Sequence, residues 1–190
     1  MLDLARSIIV GCWLIFVVFW IVSAFSVKRT IERGGGGWER LALLATGAGA
    51  WVLFRRGEVG GFLDLTLWPR TAVVAAVAVL VTVSGLAFTL WARVTLGRNW
   101  SGSVVFKQDH ELIERGPYRL VRHPIYTGLL LMALGTSIAQ RRVSGFAMTA
   151  ILLTGLWLKS RREERLMTAH FPEAYPRYRE RVRALIPFIF

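Results

Sequence analysis

The part of this sequence best suited to chemistry begins with a polar stretch, Arg115–Gly128, that leads directly into an apolar run. Pro124 fits the first position of a helix, where its missing N–H costs nothing, and it pushes His123 toward extended geometry. Arg122 and His123 are therefore expected at a helix N-terminus, where unpaired N–H groups and the dipole favour an anion. A carboxylate or phosphate ligand is one interpretation. An interfacial anchor, with arginine meeting lipid headgroups, is the other.

A second polar stretch, Lys159–Met167, follows an apolar run near the C-terminus. Lys159 and Glu163 are i,i+4 neighbours on a helix, and a solvated helix laced with charge accounts for most residues of this stretch. The adjacent acids Glu163 and Glu164 fit that interpretation less well, because they lie close to where a membrane would end. Carboxylates in such a place can accept hydrogen bonds from ligand hydroxyls or balance a cationic ligand.

Several common site patterns are missing from the sequence. No Gly-x-Gly-x-x-Gly follows a predicted strand, and there is no P-loop, His-Glu-x-x-His or serine nucleophile elbow. A single cysteine, Cys12, excludes a disulfide within the chain, and His110, His123 and His170 lack metal-ligand spacing. We therefore predict no metal site.

The polar stretches together resemble a known family, the isoprenylcysteine carboxyl methyltransferases, which are related to the phosphatidylethanolamine N-methyltransferases. The most specific piece is Arg122–Gly128, reinforced by the pair Glu163 and Glu164. The resemblance covers roughly residues 91–190. Its further elements are Leu96–Ser101, His110–Leu112, Gly116–Tyr118, Phe171, Tyr175, Tyr178 and Pro187.

The resemblance implies S-adenosylmethionine as cofactor, bound in a pocket between the last two spans and a C-terminal helix. His110 and Leu112 would lie along the adenine, and aromatic residues would line the amino-acid end of the cofactor. The paired glutamates would hold the ribose or the charged end. The implied cofactor-binding residues are His110, Leu112, Tyr118, Arg122, His123, Tyr126, Glu163 and Glu164.

The resemblance also implies a methyl acceptor, which we expect to be lipophilic and to enter from the bilayer. A carboxylate acceptor is already ionised at neutral pH and needs no general base. A basic side chain would orient it, and the candidate catalytic residues are Arg93, Arg98 and Lys159. Carboxyl O-methylation is expected, with N- or S-methylation of lipids or small thiols as the alternative.

The elements that must position these residues are membrane helices. The chain has 190 residues, 54% of them hydrophobic, and a formal net charge of +12. Basic residues punctuate long apolar runs, which favours a membrane surface over nucleic acid as the partner. We predict an all-α polytopic membrane protein. Its five spans are residues 7–27, 41–54, 71–92, 124–140 and 143–158.

The arrangement of the spans follows from their connections and charges. Arg141 and Arg142 alone separate the last two runs, which predicts a helical hairpin. With the N-terminus outside, 18 basic residues fall in inside segments and 6 in outside segments, so the positive-inside rule places the C-terminus in the cytoplasm. We assign residues 1–92 to three N-terminal spans and 93–190 to the methyltransferase core. The stretch 171–190 is expected to form a cytoplasmic amphipathic helix.

Two competing functions remain at this point. A membrane sterol reductase that uses NADPH has a distantly similar C-terminal architecture, but no additional arginine set is assigned to a 2′-phosphate here. A non-catalytic membrane protein of the same fold is the second alternative. Binding of S-adenosylhomocysteine, of NADPH or of neither would separate the three.

Overall fold

A computed structural model describes residues 2–24, 30–33, 61–97, 105–107 and 112–186. Five helices fall in these ranges: α1 Leu2–Ala24, α2 Ala72–Leu96, α3 Pro124–Gln140, α4 Val143–His170 and α5 Ala174–Arg181. Two short strands, β1 Thr30–Arg33 and β2 Val105–Lys107, pair antiparallel. The architecture is thus helical as predicted, with a small strand pair that the all-α prediction did not include. The predicted span 41–54 and Arg98 and His110 lie outside the described residues.

Among the described residues, three helices are long and apolar enough to cross a membrane: Leu2–Ser23, Ala72–Leu96 and Val143–His170. The coarse prediction of a helical membrane protein is therefore supported. α3, with 17 residues, is about 25 Å long at 1.5 Å per residue, which is at the lower limit for a span. The count of five spans stays a prediction.

Helices α2 and α3 pack against each other through small residues. A Cβ added to Gly128 would lie 2.6 Å from the carbonyl oxygen of Gly85, and one added to Gly85 would lie 2.7 Å from the amide nitrogen of Met132. Side chains are therefore excluded at these positions, and the two backbones approach closely. α1 joins this pair through a buried cluster of Cys12, Leu86 and Met132.

The connection between α3 and α4 is a tight turn. Arg141 adopts φ 64°, in the left-handed region, and its N–H caps α3 at the carbonyl of Ser137. Residues 65–67 lie against this turn, because Leu67 donates to the carbonyl of Arg141 (2.8 Å) and Val143 donates to the carbonyl of Leu65 (3.2 Å). Further along, Ser137 and Thr149 hydroxyls lie 2.9 Å apart across the two helices.

The C-terminal segment differs from the predicted amphipathic helix. α5 has only eight residues, and Val182 is extended, so the chain leaves the helix after Arg181. Tyr175 and Tyr178 of α5 are buried rather than facing solvent. Their burial against the rest of the protein makes α5 part of the packed core at this end. We call residues 182–185, which follow α5, the C-terminal strap.

Candidate functional site

The N-terminus of α3 and the C-terminal half of α4 meet in a network of polar side chains. α3 begins at Pro124, with His123 as its N-cap, in agreement with the sequence prediction. Arg122 contacts Glu164 with two nitrogens, Nη2 at 2.6 Å and Nε at 2.8 Å from the same oxygen, Oε1. Both side chains are at least nine-tenths buried, so this is an internal ion pair.

His123 and Tyr126 extend the network to Glu163. His123 lies between the two acids, with Nδ1 3.5 Å from Glu163 Oε2 and Nε2 3.3 Å from Glu164 Oε1. The Tyr126 hydroxyl donates a 2.6 Å hydrogen bond to Glu163 Oε1. The rings of His123 and Tyr126 stack with an interplanar angle of 6°, and Lys159 Nζ lies 5.4 Å from the Tyr126 ring centre. The structure thus brings together the two stretches that the sequence singled out.

Electrostatics favour the charged form of His123. Burial alone would lower the pKa of His123, but the hydrogen bonds and negative charges of Glu163 and Glu164 outweigh it, and the pKa is raised above 6.5. An imidazolium between two carboxylates makes charge-assisted hydrogen bonds to both. In its protonated form, His123 would hold the two acids in place.

The C-terminal strap satisfies the backbone at the start of α3. The N–H of Arg122 donates to the carbonyl of Arg183 (2.8 Å), and the N–H of His123 donates to the carbonyl of Ala184 (3.0 Å). Pro124 has no N–H to offer. Protein carbonyls therefore occupy the backbone N–H groups of Arg122 and His123, and a ligand anion at this helix end stays a prediction.

Side chains also form hydrogen bonds to the C-terminal strap. Thr127 donates to the carbonyl of Leu185 (2.6 Å), and Arg122 Nη1 donates to the carbonyl of Val182. Leu185 is fully buried. The strap is thereby part of the site. Sequence reasoning missed this role, since residues 182–185 were assigned to a surface helix.

Tyr118 and Arg179 are placed at the edges of the network. The Tyr178 hydroxyl donates a 2.6 Å hydrogen bond to the carbonyl of Tyr118, and both tyrosines are buried. Arg179 Nε lies 3.5 Å from Glu164 Oε2, on the opposite oxygen from Arg122. Arg179 was not predicted as a site residue. Its i,i+4 spacing from Tyr175, which shares its helix face, is the one sequence signal that could have indicated it.

The other predicted residues lie in different surroundings. Arg93 is buried, and its guanidinium donates to the carbonyls of Gly97 and Ser23, each at 2.7 Å. It therefore joins the C-terminal ends of α1 and α2. Leu112 is half-buried in a segment without regular structure. The roles proposed for Arg93 as a catalytic residue and Leu112 as a cofactor contact stay predictions.

Comparison with known proteins gives the chain a family. A family model described as phospholipid methyltransferase matches residues 73–174, more than half of the chain and the whole of the Arg122–Glu164 network. The chain is 31% identical over 119 residues to a probable protein-S-isoprenylcysteine O-methyltransferase of Oryza sativa subsp. indica, covering 61% of this chain and 62% of that protein.

Two further relatives each match about half of the chain. The protein-S-isoprenylcysteine O-methyltransferase of Schizosaccharomyces pombe is 36% identical over 104 residues, which are 52% of this chain and 43% of that protein. The cobalt-zinc-cadmium resistance protein CzcN of Cupriavidus metallidurans is 33% identical over 98 residues, 49% of this chain and 44% of that protein.

The chain thus spans between 43% and 62% of the length of these curated relatives. Their names differ, so similarity alone leaves the substrate open. The resemblance predicted from the sequence is confirmed by the family match and by the isoprenylcysteine methyltransferase relatives. On these grounds the chain belongs to the phospholipid methyltransferase family, with isoprenylcysteine O-methyltransferases among its relatives.

Proposed function

We propose that this chain is an integral membrane methyltransferase that uses S-adenosylmethionine and modifies a lipophilic acceptor. Carboxyl O-methylation of an isoprenylcysteine-like group is the favoured reaction. The observation that carries the proposal is the buried network in which Arg122 and His123 contact Glu163 and Glu164. Burial of charged side chains costs desolvation free energy. We infer that the network offsets this cost by holding the two acids in a defined orientation.

The described residues of the network fit a methyl donor with a diol and cationic groups. A carboxylate offers about four acceptor positions. Glu163 uses two of them, one for Tyr126 and one toward His123, and its side chain is 23% exposed. Acceptor capacity therefore remains for ribose hydroxyls or an ammonium group. The stacked rings of His123 and Tyr126 offer an aromatic wall beside it.

In the mechanism that we propose, the chain positions two reactants and excludes water. S-adenosylmethionine, when bound, supplies a sulfonium methyl group that is open to in-line displacement. A carboxylate acceptor is ionised at neutral pH, so the chain contributes positioning and desolvation rather than a general base. Glu164 is held by Arg122 and Arg179, and His123 connects it to Glu163.

We assign the orientation of the acceptor carboxylate to Lys159. Its ammonium group lies above the Tyr126 ring, one helical turn before Glu163. Arg98 stays a second candidate. Arg93 is the weaker choice, because its guanidinium already donates hydrogen bonds to two backbone carbonyls.

We also propose the membrane arrangement predicted from the sequence. Five spans would cross the bilayer, α3 and α4 would form a hairpin within it, and the N-terminus would lie outside. The network would then face the cytoplasm, where the methyl donor is available. A lipid-linked acceptor would reach it sideways from the bilayer.

The direct test is transfer of a labelled methyl group from S-adenosylmethionine to farnesylcysteine analogues by the purified full chain in lipid. We expect a product heavier by one methyl group that loses it in alkali, as a carboxyl ester does. In a lipid extract or with a small thiol as acceptor, a labelled amine or thioether would instead favour the N- or S-methylation alternative. Binding of NADPH with no binding of S-adenosylhomocysteine would refute the methyltransferase proposal.

A further inference from the structure

A second feature at this end of the molecule is an open groove between α4 and the C-terminal strap. Its volume is about 540 Å³, within the range of ligand pockets. Arg122 and Glu164 form its floor, whereas Glu163 and Tyr126 do not line it. Four arginines face the groove against two glutamates, so its surface is strongly basic.

Two of these arginines carry positive charge that the protein does not neutralise. Arg122 and Arg179 both pair with Glu164. In contrast, among the residues that the structure describes, no carboxylate lies within ion-pair distance of the guanidinium of Arg161 or Arg183. Both side chains are exposed at the groove. A guanidinium in this state favours a bidentate anion such as phosphate.

The position of the groove along α4 indicates where such an anion would come from. Trp157 lines the groove and is 37% exposed, and the Arg161 guanidinium lies 5.9 Å from its ring centre. The preceding turns of α4 expose Ile151 and Leu153. This face of α4 is therefore apolar up to Trp157 and basic beyond it. Lipid acyl chains would contact the apolar part, and lipid headgroups would contact the arginine.

We propose that this groove binds the phosphate of an anionic membrane phospholipid, held between Arg161 and Arg183 with the acyl chains along the exposed face of α4. The lipid would be a resident ligand and not the methyl acceptor. The inference rests on the proposed membrane placement, but not on methyl transfer. Arginines near a membrane surface favour binding of anionic lipid, and loss of two of them weakens it roughly thirtyfold.

Native mass spectrometry of the full chain in detergent, titrated with phosphatidylglycerol or phosphatidylcholine, tests this site. We expect tighter binding of phosphatidylglycerol. The double variant Arg161→Gln/Arg183→Gln should weaken that binding roughly thirtyfold. The matched control is Arg119→Gln/Arg177→Gln, which removes the same charge from exposed positions outside the groove and should retain wild-type binding.

Four outcomes would overturn the proposal. They are equal binding of the two lipids by the wild type, unchanged binding in the groove variant, an equal loss in the control variant, and displacement of the lipid by saturating S-adenosylhomocysteine. The last would identify the groove as the donor pocket. Binding of S-adenosylhomocysteine by the groove variant is measured in parallel and should equal that of the wild type, so failure of this site is distinguishable from failure of the proposed methyltransferase.

Discussion

At the scale of single residues, Arg122 joins three parts of the chain. Its guanidinium binds Glu164 through two nitrogens and the carbonyl of Val182 through the third, while its backbone N–H binds the strap. Removal of either partner leaves a buried charge without its nearest counter-charge, and such a loss is larger than the net contribution of the pair. The network should therefore respond strongly to single substitutions and less than additively to double ones.

A double-mutant cycle on Arg122 and Glu164 tests this. Arg122→Ala and Glu164→Ala should each lower the unfolding free energy by roughly 3–5 kcal/mol. The double variant should lose much less than the two together. Thermal unfolding in detergent gives the comparison. The control is Arg177→Ala at the exposed pair with Glu173, where we expect no resolvable change, and additive losses at the buried pair would contradict the account.

The raised pKa of His123 predicts a pH dependence with a definite sign. Because the folded-state pKa lies above the unfolded value of 6.5, the imidazolium contributes its full stability below pH 6.5 and loses it as pH rises through the folded-state value. His123→Gln removes this titration. The difference in melting temperature between wild type and variant should therefore be largest in mild acid and shrink toward alkaline pH. A difference that grows with pH would show that His123 is neutral in the folded protein.

The residue-level prediction from sequence was accurate for local motifs and poor for long-range partners. Pro124 begins α3 because its ring fixes a helical φ and it lacks an N–H. Glu163 follows the apolar run of α4 by a few residues, and since α4 runs back along α3, this spacing places Glu163 near the start of α3. Arg93 and Arg122 both flank a predicted span, yet Arg93 donates to the carbonyl of Ser23, seventy residues away. No local pattern encodes that choice of partner.

At the scale of elements, the contact between α2 and α3 positions the site. α3 carries Arg122, His123 and Tyr126 at its N-terminal end, and its close approach to α2 fixes the height and rotation of that end. Thr82 and Thr89 of α2 are fully buried against the glycines of α3. This contact leaves no room for a methyl group.

Gly128→Ala should therefore destabilise the protein, since its Cβ would lie 2.6 Å from the Gly85 carbonyl and 2.8 Å from the Thr89 amide nitrogen. Overpacking of this kind costs about 1–3 kcal/mol. Gly155→Ala is the matched control, because nothing lies within 4 Å of its Cβ in the middle of α4, and helix propensity favours alanine there. Melting temperatures that fall for the first and hold or rise for the second would agree. Equal changes in melting temperature for the two variants would contradict the close contact between α2 and α3.

The helices themselves were largely predictable, and the non-helical pieces were not. α3 was predicted as residues 124–140 and has those bounds, because Pro124 begins it and the following run carries no charge. The strap was not foreseen. Its extended form is stabilised by backbone hydrogen bonds to the start of α3, which depend on tertiary contact rather than on the strap's own residues.

At the scale of the whole molecule, charged residues divide between two ends. One end holds the pairs Asp3 with Arg70 and Asp64 with Arg142. The other holds the network and the strap. The exposed surface of the helices between them is rich in large apolar side chains, among them Leu14, Val18, Val73, Leu80 and Ile151. This division agrees with a protein that crosses a bilayer and has its site on one face.

Sidedness can be measured with single cysteines in a Cys12→Ser background. Arg119→Cys and Glu173→Cys lie at the end that carries the network, and Arg70→Cys lies at the opposite end. All three positions are exposed. An impermeant maleimide added to intact cells should label only the Arg70 variant, and in inverted vesicles only the other two. Labelling of the Arg119 and Glu173 variants from different sides would break the proposed arrangement.

The most direct test of the central claim is calorimetric binding of S-adenosylhomocysteine to the full chain in lipid nanodiscs. The wild type and Glu173→Ala, which lacks an exposed acid outside the network, should bind. His123→Ala and Glu163→Ala should show no binding while they retain a cooperative thermal transition. Wild-type affinity in either of these two variants would contradict the claim that the network holds the methyl donor.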